Sequence, residues 1–168
     1  MAKIINRYLD TNGDGTGTKN ANGNYSSVAD IFYIQPPAGS RYEINRMIVT
    51  VQDTGAQRAE YYGALGTALT NGITVREQND DGTFNNLTDG ITIKTNAGWG
   101  SICYDVDLKS WGAGDSMLLV RWTFRNAGDP IQLNGNSNDR LEVVLNDDLS
   151  GLVAHYFMVQ GVELGVGG

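Results

Sequence analysis

Glycine, proline, asparagine and aspartate make up about a third of the 168 residues and are spread along the whole chain. Glycine allows positive φ, proline fixes φ, and asparagine and aspartate bond their own backbone, so each favours a turn. A chain punctuated this often has no room for long helices and suits short strands joined by many turns. A chain of this length can still bury about two-thirds of its unfolded surface, so one domain with a sizeable core is expected.

The apolar residues recur in short runs that read as strands. The first covers residues 3–9. Residues 10–24 are polar, show no apolar period, and read as an extended arm or loop. Residues 30–35 form a compact apolar run that stops at Pro36-Pro37-Ala38-Gly39. In residues 41–51 the phase changes: Tyr42 and Ile44 share one parity, Met47, Val49 and Val51 the other. A bulge near Asn45-Arg46 turns both sets inward, and burial on both faces is the alternative. A short helix within residues 56–69 is weakened by its glycines. Leu69-Thr70-Asn71-Gly72-Ile73-Thr74-Val75 is echoed by Leu87-Thr88-Asp89-Gly90-Ile91-Thr92-Ile93. Each copy has a tight-turn dipeptide before a β-branched run, which predicts a hairpin pair.

Later runs alternate cleanly: Leu118, Val120, Trp122 and Phe124; Leu141, Val143 and Leu145; His155, Phe157 and Val159. With residues 104–106 and 131–133, about eight to ten strands are expected. The expected fold is all-β, an antiparallel β-sandwich of the jelly-roll kind with an extended N-terminal arm. Residues 1–29 form the first strand and arm, 30–164 the sandwich, and 165–168 a flexible tail.

Composition narrows the functions. A formal charge of −7 with 12 scattered basic residues gives no basic stripe, so no nucleic-acid partner is expected. No apolar run is long enough to span a membrane, and the first residues lack the apolar stretch of a secretory signal. A lone cysteine forms no internal disulfide and points to a reducing cytosol. The sequons at Asn24 and Asn86 are then chance matches.

Asp10, Asn12 and Asp14, followed by Gly15, match the first half of a calcium loop, in which oxygens at alternate positions converge on one cation. The twelfth position is Ala21 where a bidentate glutamate belongs, so a turn-rich loop is the plain alternative. His155 is the only histidine and lacks partners for a triad or zinc centre; a partly buried or interface imidazole is expected. Cys103, between Ile102 and Tyr104, reads as a small buried hydrophobe. Asp105 with Asp107, and Asp147 with Asp148, are the carboxylates an enzyme could pair, yet acidic residues beside asparagine and glycine usually end strands. Trp99, Trp111 and Tyr61-Tyr62 could stack on sugars or anchor core and subunit contacts. No catalytic residue, cofactor or small-molecule substrate is expected.

Several strings carry a resemblance. They include Asp14-Gly15-Thr16-Gly17-Thr18-Lys19-Asn20-Ala21, Phe32-Tyr33-Ile34-Gln35-Pro36-Pro37-Ala38-Gly39 and Tyr42-Glu43-Ile44-Asn45-Arg46-Met47-Ile48-Val49. Further along come Lys94-Thr95-Asn96-Ala97-Gly98-Trp99, Val120-Arg121-Trp122-Thr123-Phe124, Arg140-Leu141-Glu142-Val143-Val144-Leu145-Asn146-Asp147-Asp148 and His155-Tyr156-Phe157-Met158-Val159-Gln160-Gly161. Over roughly residues 10–162 the chain resembles a family of small proteins encoded among the structural genes of tailed bacteriophages. The resemblance implies a virion component made in the bacterial host cytoplasm, and brings no catalytic motif. The leading expectation is a capsid decoration (cement) protein, bound to the major capsid protein and to copies of itself, a trimer among the options. Its expected contact residues are Tyr8, Thr16 and Lys19 of the arm, with Tyr61 and Tyr62. A head–tail adaptor, stopper or tail component is the second reading, and a carbohydrate-binding appendage the third.

Overall fold

The computed structural model describes residues 2–53, 60–78, 81–88, 92–103, 105–110, 116–124 and 129–165. Among them are ten strands: β1 (Lys3–Tyr8), β2 (Asp30–Ile34), β3 (Ser40–Asp53), β4 (Ile73–Gln78), β5 (Phe84–Asn86), β6 (Asp105–Ser110), β7 (Ser116–Thr123), β8 (Ile131–Asn134), β9 (Arg140–Leu145) and β10 (Ala154–Gly165). One short helix, α1 (Asn96–Gly100), and one 3₁₀ turn at Gly63–Leu65 complete the regular structure. That turn is what the described residues show of the helix expected within 56–69.

The strands form two antiparallel sheets, an all-β sandwich. The larger runs β1-β10-β3-β7-β6, with β8 also paired to β3, and the smaller runs β2-β9-β4-β5. The pairings nest: β1 with β10, β2 with β9, β3 with β7, β4 with β5. The N-terminal strand therefore belongs to the larger sheet, in register with the C-terminal one from Lys3↔Glu163 to Tyr8↔Met158.

The alternation seen in sequence is the alternation of burial. Met47, Val49 and Val51 of β3, Leu118, Val120 and Trp122 of β7, and Phe157 and Val159 of β10 meet Phe32, Ile34, Ile73, Val75, Leu141, Val143 and Leu145 of the smaller sheet in one core. Each fully buried large side chain contributes roughly 1.5–3 kcal/mol. The phase change in β3 is a bulge. Gln160 pairs with Arg46 and Gly161 with Ile44, leaving Asn45 as the extra residue, so Tyr42 and Ile44 turn inward with the rest. Gly161 is required there, because a Cβ would lie 2.0 Å from the Glu43 carbonyl oxygen.

The two echoed segments frame one hairpin. β4 leaves the first Asn-Gly turn and pairs with β5, and Ile93 at the end of the second copy exchanges both backbone hydrogen bonds with Ile73. Asp89, Gly90 and Ile91 lie outside the described residues, as do 166–168 of the expected tail.

Candidate functional site

Asp10 continues β1 into a two-way backbone bridge with Tyr33 of β2. Its carboxylate is fully buried and bonds the loop's own backbone: Oδ1 accepts from the N–H groups of Asn12 and Gly13, and Oδ2 accepts from Gly17 at 2.8 Å. Asp14 Oδ1 accepts from Thr16 N–H at 2.9 Å and from the Thr16 hydroxyl at 2.6 Å, which holds its carboxyl below the ordinary range. Asn12 donates its amide to the Thr16 hydroxyl. In the calcium half-loop, Asp10 and Asp14 thus accept from backbone N–H groups of their own turns, and Asn12 bonds the Thr16 hydroxyl. Among the described residues no group of three or more acidic, histidine or cysteine side chains could hold a metal ion. Aspartate at a tight turn satisfies backbone N–H groups that would otherwise be orphaned, and this competes directly with cation binding.

Residues 20–25 of the expected arm lie against their own domain. Ala21 is buried, its N–H bonds to the His155 carbonyl, and Asn20 Oδ1 accepts the His155 N–H at 2.9 Å. Asn22 donates to the Leu152 carbonyl, Tyr25 N–H to Asp147, and Leu149 N–H to Gly23. Residues 20–25 are laid against their own domain by amide side chains whose role is invisible without the partner strand. Thr16 remains exposed and Lys19 partly exposed at the surface of this loop.

His155 is fully buried beneath it. Its Nδ1 lies 2.8 Å from the Ala21 carbonyl, a pure acceptor, so Nδ1 carries the proton. Nε2 then accepts from the Tyr62 hydroxyl at 2.6 Å. Desolvation lowers the imidazole pKa to about 4. Tyr62 is accordingly a buried core residue and not a subunit contact, while Tyr61 beside it is half-buried. Trp99, offered above as a sugar platform, is fully buried in α1, and Trp111 lies outside the described residues. Cys103 is half-buried, and desolvation pushes its thiol up to about 12, which disfavours the thiolate.

The candidate catalytic carboxylates each have another occupation. Asp105 on β6 pairs with Arg121 at 2.6 Å. Asp147 accepts from the N–H groups of Thr70, Asn71 and Gly72, closing the first Asn-Gly turn. Asp148 caps Ser150. Two surface depressions, of about 420 and 480 Å³, sit at Leu65–Asp147 and at Arg7–Tyr33. In the first, the Asp147 carboxylate is consumed as described. In the second, Gly13 covers the Tyr33 ring so closely that a Cβ would meet it at 2.1 Å.

What remains open is the outer face of the larger sheet. Tyr8, Met158, Ile48 and Arg121 are cross-strand neighbours in one row, and Tyr156, Thr50 and Leu119 form the next. Tyr8 is 42% exposed and its ring packs 5.4 Å from that of Tyr156. Ile4, farther along β1, is 84% exposed. Of the sequence-derived contact residues only Tyr8 belongs to this face. The others, Ile48, Leu119, Tyr156 and Met158, are apolar residues at the parity opposite the core, a signal present in the sequence but overlooked. Among the described residues no helix is long and apolar enough to cross a membrane. No family model, no curated protein and no solved structure matches the chain.

Proposed function

We propose that this chain is a structural component of a tailed-bacteriophage virion, a capsid decoration protein that acts by contact and not by catalysis. The observation carrying this reading is the cluster of Tyr8, Ile48, Tyr156 and Met158 on the outer face of the larger sheet, with Tyr8 exposed and the other three half-buried. Contiguous apolar surface on a sheet is characteristic of protein–protein contact. The sequence resemblance supplies the setting: the partners are the major capsid protein and further copies of the chain, assembled in the host cytoplasm. Thr16 and Lys19 stand at the surface of a loop held by its own hydrogen bonds, suited to bear on a neighbour with less entropy loss than ordering a free arm.

The same reading takes the winding as a jelly roll. With β6 and β8 set aside, the nested pairs are those of one long hairpin rolled so that β10 also meets β3 and β9 also meets β4. Quantitative mass spectrometry of purified virions, with immunogold labelling, tests the function. A copy number that follows the capsid lattice, with label over the head, supports decoration. A single ring of copies at the neck overturns it in favour of a connector, and glycan binding by the assembled protein favours an appendage.

A further inference from the structure

The outer face of the smaller sheet carries a different arrangement. Tyr33 on β2, Glu142 on β9 and Arg76 on β4 are direct cross-strand neighbours, and Arg140 stands two residues from Glu142 on the same face. Arg76 Nε donates to Glu142 Oε1, and Arg140 Nε lies 2.7 Å from Oε2. Glu142 is fully buried beneath the two guanidinium groups, whose side chains remain 30% and 29% exposed. Aromatic rings hold them from the side. Arg76 lies 4.0 Å from the centroid of Phe84, and Arg140 lies 5.2 Å from Tyr33 and 5.7 Å from Phe84. Arg76 is therefore fixed by its Nε hydrogen bond and by the Phe84 ring, and Arg140 by its ion pair with Glu142, without hydrogen-bond geometry between Nε and Oε2, and by the Tyr33 and Phe84 rings.

We propose that Arg76 and Arg140 form a docking site for a carboxylate side chain on an acidic segment of a protein partner. Two guanidinium groups over one buried carboxylate leave a single net positive charge, which one further carboxylate neutralises. Preorganised N–H forks match that ligand in geometry. Phe84, 41% exposed at the rim, offers apolar contact to the backbone carrying the acid. The rest of the chain is strongly acidic, so an acidic partner is repelled elsewhere and steered here. The inference does not depend on where in a virion the chain sits.

The test uses the full chain with arginine Nε–H resonances observed by NMR. Hexaglutamate peptide is the probe, and inorganic phosphate is the competing anion. The peptide is expected to shift Arg76 and Arg140. Arg76→Lys with Arg140→Lys is expected to weaken binding roughly tenfold, since lysine keeps the charge and loses the fork. Glu142→Gln adds a net positive charge and is expected to tighten binding, and it stands as the test if the double variant fails to fold. Binding that is unchanged in the double variant, no tightening in Glu142→Gln, or phosphate acting at these resonances at lower concentration than the peptide overturns the proposal.

Discussion

His155 makes the stability of this protein depend on pH in a defined window. The imidazole is sealed between the Ala21 carbonyl and the Tyr62 hydroxyl and stays neutral down to about pH 4. In the unfolded chain it takes up a proton near its ordinary value of 6.5. Between those values the unfolded state binds the extra proton, so stability falls as pH falls. The full difference comes to about 3 kcal/mol, at 1.36 kcal/mol for each tenfold change in proton affinity. Most of it is lost between roughly pH 7.5 and 4.5. His155→Asn keeps an N–H that can reach Ala21 and removes the titration. Urea unfolding of both proteins across that range measures the gap between them, in which other groups cancel. Glu77 is one such group: burial raises its carboxyl, which opposes the histidine near the lower end. The wild type is expected to lead at neutral pH, where Tyr62 keeps its acceptor, and to lose its lead on acidification. A gap that stays constant with pH refutes the buried neutral imidazole.

Three further outcomes follow from the loop and the bulge. Asp10→Ala removes the acceptor of three backbone N–H groups in a buried position and is expected to cost about 2–4 kcal/mol in thermal or urea unfolding. Calcium or a chelator is expected to leave the melting temperature of the unaltered protein unchanged, and a rise with calcium contradicts the capping role. Gly161→Ala drives a methyl group into the Glu43 carbonyl across the β3–β10 ladder. An unfolding free energy lowered by about 3 kcal/mol or more is expected, and a neutral result refutes the close approach.

The division between what residues reveal locally and what they reveal only in assembly is plain in particular elements. Strand positions were legible because burial in a half-covered sheet has a period of two, and that period is written in neighbouring residues. Even the bulge at Asn45 showed as a break in phase between Ile44 and Met47. Asp10 was legible as a residue of special purpose, but its purpose was not: the same Asp-x-Asn-x-Asp spacing serves a cation or a set of backbone N–H groups, and the loop's path decides between them.

The chain by itself determined the all-β character and most strand positions, because each follows from composition or from short-range alternation. Tertiary structure alone decided that Tyr62 and Trp99 are core and that residues 20–25 belong to their own domain. It also decided that Arg76 and Arg140 share Glu142. Those facts depend on register between strands far apart in sequence, and a contact across such a distance leaves no periodic mark on either side.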